Sequence, residues 1–357
     1  MSVAIKRDSK IDVLKGFAII LMVAGHALMP AGFYRFISLF HMALFYFASG
    51  YLFKDSSCFE HKFQFVKRKF SGLYIPFVKW TLLYLLSLNV LMVFHIVPYS
   101  QNITDANWYI KAVKLSLLHM MGGGDLLSGF WFLRSLLFAV ILFAMIRYTC
   151  YRMLTKVASL KVCHLAYTCA IFLTYFLFWI IQNVGGSQYI FLRDTTAVMI
   201  LAMGHLFFTF QERIKFYWRL AVPCLLFLLI ASMHCKIDFV AGGFHGPLFL
   251  FVCSFSGCYL CYYLSAFVSK KESILKSFLS FCGKNSLFIL ATHLLFFKLV
   301  SLLKIYVYHL PLEQLSEHPV IRAYIPEWWW IAYTVIGVAG PLCFLEIFNH
   351  IKQFLAE

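Results

Sequence analysis

Residues 11–53 read IDVLKGFAIILMVAGHALMPAGFYRFISLFHMALFYFASGYLF. Two apolar runs, 11–30 and 36–53, flank a short turn centred at residue 33, and each is about the 20 residues that a helix needs to cross the hydrocarbon core of a bilayer. The pair predicts an antiparallel helical hairpin in lipid, with one histidine in each arm, His26 and His41. The rest of the chain has the same character. Of 357 residues, 62% are hydrophobic and only 13% are charged, and the mean hydropathy is +0.80. A water-soluble globule is excluded, because so few charged side chains cannot cover the surface of a protein this size.

Continuing along the chain, the apolar runs number ten: about 11–30, 36–53, 74–97, 128–146, 162–182, 189–210, 219–235, 246–268, 284–303 and 327–350. This predicts an all-α polytopic bundle with about ten transmembrane helices and both termini on one side. Positive residues resist translocation, so their distribution orients the bundle. Of 31 Lys and Arg, alternate connections on one side hold only Arg35, Lys111, Lys114, Lys236, Lys304 and Arg322, while Lys79, Arg134, Arg193 and Lys298 lie within spans. The other 21 gather on the opposite side with both termini, which is therefore cytoplasmic. The net charge of +16 is thus a topology signal and implies no nucleic-acid partner.

The chain reads as one membrane-embedded domain, 1–357. The longest connections, 55–73, 98–127 and 304–326, carry enough apolar residues to lie along the interface. The first span is expected to be retained rather than cleaved as a signal, since Asp12, Lys15 and His26 do not suit an export segment. The 11 cysteines lie mostly in apolar runs and imply no disulfide framework. Cys258 and Cys261 form a C-x-x-C without a second ligand pair, so they read as packing cysteines, and no metal site is expected. No internal repeat is evident, which weakens a reading as a two-halved transporter.

Ionisable residues inside spans are costly and therefore functional candidates. His26 and His41 stand at nearly equal offsets from the turn, at a shared depth on the order of 10 Å below the outer surface at 1.5 Å per residue. Two imidazoles could then face one cavity. A single buried histidine more often bridges helices by hydrogen bonding, but a matched pair suits proton transfer, because an imidazole with an ordinary pKa near 6.5 can take a proton from a hydroxyl and return it to a leaving group. Arg193 and Asp194, adjoining near the outer end of the sixth span, either line a sugar site or anchor the helix at the interface. His293 in the ninth span is either a pathway residue or a core bridge. Glu346, near the inner end of the last span, reads as a local partner for Lys352 or solvent.

The opening block, IDVLKGFAIILMVAGH followed by FHMALFYFASGYLF, resembles the start of the integral-membrane acyltransferase 3 family, the O-acetyltransferases of bacterial surface glycans. KRKFSGLYIPFVKW at 67–80, FWFLRSLLF at 130–138 and GKNSLFILATH at 283–293 resemble later elements of the same family in the same order. The resemblance implies that His26 and His41 are catalytic, and that Lys15, eleven residues before His26, takes part in donor binding with Lys67, Arg68 and Lys69. It departs in Met-Ala after His41, where Met-Pro is usual, and in lysines where arginines are usual. A lysine supplies charge without a bidentate fork. Lys67, Arg68 and Lys69 also read simply as positive-inside flanking.

The expected activity is transfer of an acyl group, acetyl by resemblance, from cytoplasmic acyl-CoA to a hydroxyl of a cell-surface glycan or its lipid-linked precursor, in a bacterial inner membrane. His26 is expected to be the base, because Gly25 leaves room beside it, with His41 orienting it or hydrogen-bonding the thioester carbonyl, or with an acyl-histidine relay. The lowest-ranked contacts, with the acceptor, fall to Arg193, Asp194 and His293. The alternatives are a proton-coupled transporter or flippase of a glycan or small anion, and a non-catalytic subunit docking a glycan synthase. The charge bias makes the topology testable: reporter fusions after residues 60, 155, 215, 272 and 357 should report cytoplasm, and fusions near 104, 185, 240 and 315 the outside. Two or more reversed reporters would break the ten-span arrangement.

Overall fold

The computed structural model describes residues 8–99, 105–121, 124–154, 160–185, 189–211, 218–239, 242–243, 245–324 and 328–355. Lys6, Arg7, Lys156, Arg213 and Lys215 of the charge count lie outside them. The described residues form fifteen α-helices: α1 (Ser9–His26), α2 (Ala31–Ser38), α3 (His41–Tyr51), α4 (Asp55–Phe59), α5 (Lys62–Lys69), α6 (Ile75–Val93), α7 (Ala106–His119), α8 (Trp131–Leu154), α9 (Leu160–Gly185), α10 (Tyr189–Phe210), α11 (Trp218–His234), α12 (Pro247–Val268), α13 (Ile274–Lys284), α14 (Ser286–Tyr308) and α15 (Trp329–Phe354). Among these residues there is no strand, only an isolated bridge between Asp238 and Gly243.

Local chemistry sets several ends. Asp8 caps α1 by accepting from the Lys10 amide at 2.9 Å, and Asp105 and Ser273 cap α7 and α13 in the same way, each satisfying an otherwise orphaned amide. Seven helical stretches are long and apolar enough to cross a membrane: Ala31–Tyr51, Lys62–Val93, Asp125–Leu154, Val162–Val184, Pro247–Val268, Ser286–Tyr308 and Trp329–Phe354. The reading of ten spans counts α1, α10 and the 17-residue α11 as well. Apolar side chains also point outward, with Leu86 83% and Val184 84% exposed. Lipid is the solvent that such a surface requires, and the chain is a polytopic helical membrane protein.

Two backbone contacts position the helices that carry the histidines. At Gly16 of α1 a Cβ would overlap the Leu279 carbonyl of α13, and at Gly283 of α13 it would overlap the Asp12 carbonyl of α1. The second pair is built alike, with Gly50 of α3 against the Leu201 carbonyl of α10 and Gly204 of α10 against the Phe47 carbonyl of α3. Lipid supplies no hydrophobic drive between helices, so close approach at small residues is how such pairs gain dispersion energy.

The long connections pack on the helices beside them. Residues 62–74 continue directly into α6 through a π-helical turn, Phe70–Tyr74, so the basic stretch is the first part of one long helix. α7 runs beside that helix, joined by Tyr109 Oη donating to Asn89 Oδ1 (3.2 Å) and Tyr74 Oη donating to the Leu117 carbonyl (2.8 Å). The connection after α14 is tied to the helix that precedes it. Lys298 donates to the Leu315 and Glu317 carbonyls, both at 2.8 Å, and Lys304 to the Ile321 carbonyl at 3.3 Å. Both lysines are buried, whereas the sequence placed Lys304 among the residues outside the spans. α13, within a connection that carried no expected element, packs on α1 by alternating small and apolar residues.

The glycine contacts give a stability test. Gly16→Val should destabilise the protein by about 1–3 kcal/mol, the usual range for overpacking, and lower its thermal unfolding temperature in detergent. Gly32→Ala, where a Cβ meets open space, should not.

Candidate active site

A cavity of about 310 Å³ lies within the bundle and holds both His26 and His41 in its wall. One end is formed by Lys15, Ser49, Gly72 and Ser286, the other by Tyr34 and Asp238, and the length between them by apolar side chains such as Met22, Phe45, Phe132 and Leu290. Lys15 lies eleven residues from His26, roughly 16 Å along α1 at 1.5 Å per residue. Gly72 reaches the cavity from the π-helical turn, and nothing would meet a Cβ there within 4 Å. An extra residue in a helical turn widens it, and such turns often sit at functional sites.

The chain breaks locally where the histidines stand. His26 is the last residue of α1 and His41 the first of α3. The break at Leu39–Phe40 leaves the Ile37 carbonyl without its usual helical partner, and His41 Nδ1 lies 2.9 Å from it. A carbonyl only accepts, so Nδ1 of His41 carries the proton and Nε2 the lone pair.

The same logic runs through a second pair. His293 of α14, fully enclosed, places Nδ1 3.1 Å from the Ile289 carbonyl and 3.0 Å from the Leu290 carbonyl, which fixes its proton on Nδ1. Its Nε2 is then an acceptor, and it lies 3.2 Å from Nδ1 of His26. His26 therefore donates from Nδ1 and keeps a lone pair on Nε2, the form in which an imidazole is a base. The sequence left His293 between a pathway residue and a core bridge; the structure makes it the hydrogen-bond partner of His26. In its neutral form His41 thus has no proton on Nε2, and the ring hydrogen-bonded to His26 is His293.

The other sequence candidates are dispersed. Of the four basic residues expected at the donor end, Lys15 lines the cavity. Lys67 and Arg68 are exposed on α5, and the Lys69 ammonium lies 5.4 Å over the Phe65 ring. The π-helical turn that follows them supplies Gly72 and Leu73 to the cavity. Gly25 borders the cavity, but a Cβ there would stand at ordinary contact distance from Tyr34 and Ile37, so Tyr34 sets the width beside His26. Arg193 and Asp194 are buried within the protein, at 7% and 2% exposure. Arg193 lines a second, smaller cavity. Glu346 is exposed, and Cys258 and Cys261 are buried free thiols on α12.

Sequence reasoning missed Tyr34, which stands on α2 where the sequence placed a turn, Asp238, on the loop after α11, and a polar cluster at the ends of α8, α9 and α10. There Arg147, 1% exposed, donates to Asp55 Oδ2 at 2.8 Å, and its guanidinium lies 4.8 Å over the Tyr167 ring. His205 Nε2 is 3.6 Å from Asp55 Oδ1, with its Nδ1 3.0 Å from Tyr167 Oη. Arg147 looks like flanking charge in the sequence, and only the fold folds α4 back over it. His318, on the connection after α14, is also partly enclosed. Burial first, and then the Lys298 and Arg322 charges, lower its pKa against the opposing pull of Asp125, which favours a neutral ring beside the His26 and His293 pair.

A family model described as an acyltransferase domain, Acyl_transf_3, matches residues 8–346. No curated protein and no solved structure matches the chain. The family match covers nearly every helix described above, including all that wall the histidine cavity, and the chain belongs to the acyltransferase 3 family of membrane acyltransferases.

Proposed function

We propose that the protein moves an acyl group, acetyl in the simplest case, from acyl-CoA on the cytoplasmic side of a bacterial inner membrane to a hydroxyl of a surface glycan or its lipid-linked precursor. One observation carries this reading: a single cavity joins a cationic end at Lys15 to an end bearing Tyr34 and Asp238, with two histidines in the wall between. The donor enters at Lys15, its phosphates outside among Lys67, Arg68 and Lys69, and its pantetheine arm along the apolar stretch. The acceptor enters at Tyr34 and Asp238, where a carboxylate can accept from sugar hydroxyls and a phenol ring can pack on a sugar face.

At the meeting point the acceptor hydroxyl donates to His26 Nε2. As its oxygen forms a bond to the thioester carbonyl carbon, the proton passes to the imidazole. The carbon–sulfur bond then breaks, and the proton goes on to the departing CoA thiolate. His293 keeps His26 in the reactive tautomer and accepts from Nδ1–H throughout, so it acts as a positioning residue. His41, with its own lone pair on Nε2, is the second base at the cavity, or the nucleophile if an acyl-histidine forms.

His26→Ala should lower glycan acylation by about 100 to 10,000-fold, the usual contribution of a general base, with acyl-CoA binding and membrane insertion intact. His41→Ala should also be severely impaired. His293→Ala should reduce kcat with little change in KM for acyl-CoA, and His293→Gln, whose carbonyl can still accept, should retain more activity. Mass spectrometry of surface glycans reads the extent of acylation, and acyl-CoA kinetics on the purified protein reads kcat and KM; near wild-type acylation in a well-expressed His26→Ala strain would overturn the assignment.

The donor end gives a separate outcome. Lys15→Gln should weaken acetyl-CoA binding, and replacing Lys67, Arg68 and Lys69 together by Gln should weaken it and make the residual binding less sensitive to salt. Calorimetry on purified protein checks both, and unchanged affinity in the triple variant would leave these three residues as topology signals alone.

A further inference from the structure

Beside the histidine cavity lies another, of about 230 Å³, walled in part by Arg134 of α8 and Arg193 of α10. Trp131 lines both cavities, so the two adjoin at this residue. The Arg193 guanidinium lies 4.8 Å over the Trp131 ring. Although 93% of Arg193 is enclosed, its Nε has no hydrogen-bond partner, since Asp194 Oδ1 at 3.6 Å is too far for one and itself receives none. Arg134 and Arg193 both act on the Asp194 carboxylate, so that among the described residues acting on it two positive charges meet one negative charge. A buried donor without an acceptor is costly, and a guanidinium is the side chain best matched to a carboxylate or phosphate.

We propose that this cavity is an anion subsite that holds a carboxylate or phosphate of the acceptor, so that the enzyme acts on acidic or phospho-linked sugars in preference to neutral ones. The inference rests on the acyl-transfer reading for the identity of the ligand as acceptor. The anionic group sits between Arg134 and Arg193, and the sugar ring passes the edge of Trp131 to bring a hydroxyl to His26. Asp238, at the far end of the histidine cavity, disfavours the reverse placement, in which the anion would face that carboxylate.

The test uses the purified full-length protein and three probes, glucuronate, glucose 1-phosphate and glucose, with binding measured by calorimetry. Glucuronate or glucose 1-phosphate should bind at least tenfold more tightly than glucose, and added salt should weaken that binding. The stronger of the two identifies the source as an acidic sugar or a phosphate linkage. Arg134→Gln, at a half-buried site that tolerates change, should cut anion binding about tenfold. Arg193→Lys, which keeps the charge in the enclosed position, should retain more of it than Arg193→Gln. Equal binding of all three sugars, no binding of any, or anion binding unaffected by Arg134→Gln would overturn the proposal. Acetyl-CoA affinity, measured in the same samples, separates the two readings. Its absence in the wild-type protein counts against acyl transfer and leaves the anion result standing, and the variants at Arg134 and Arg193 should not change it.

Discussion

Two reciprocal glycine contacts hold the histidine cavity in shape. α1 presses its backbone on α13 through Gly16 and Gly283, and α3 presses on α10 through Gly50 and Gly204. Each contact brings helix axes as near as backbones allow, and near packing is rigid because dispersion falls away over fractions of an ångström. The helix that ends in His26 and the helix that begins with His41 are thus each clamped from behind, with their free faces turned to a common space. A catalytic pair must be held to within about half an ångström to work, and in lipid, where apolar side chains alone give no drive to associate, such clamps supply the precision.

The histidines are held in a second way, by the carbonyls of broken or neighbouring helical turns. Ile37 orients His41, while Ile289 and Leu290 orient His293, which in turn orients His26. Each bond is modest, but together they decide on which nitrogen every proton sits, and thereby which nitrogen faces chemistry as a base. A hydrogen-bonded chain among enclosed groups is strengthened by the low dielectric around it. In the reaction proposed above, the apolar wall also shields the thioester from hydrolysis until the acceptor hydroxyl arrives.

Polar groups elsewhere hold the frame. Lys298 and Lys304 are spent on backbone carbonyls of the connection that follows their own helix, and Arg147 on Asp55, so charges that look like anomalies in apolar runs are tethers. Breaking such a buried pair by removing one partner typically costs about 3–5 kcal/mol. Arg193 differs from them in that its ion pair is long and its side chain borders open space.

The sequence alone determined that the protein is a helical bundle in a membrane, because runs of about 20 apolar residues have no other stable home. It also singled out His26 and His41 by their matched spacing from a turn, and Lys15 by the family resemblance, and all three line one cavity. Long-range placement was beyond it. The pairing of His26 with His293 joins residues 267 positions apart, and no local pattern records which face of α14 meets the end of α1. Tyr34 and Asp238 reach the cavity from the short helix α2 and from a loop, whose courses depend on what they pack against. The charge of residues 67–69 was plain in the sequence, but not that their helix continues through a π-helical turn that brings Gly72 and Leu73 to the cavity wall. Periodicity and charge follow from each residue's own solvation, whereas proton positions and partitions follow from contacts between helices, which exist only once the bundle has closed.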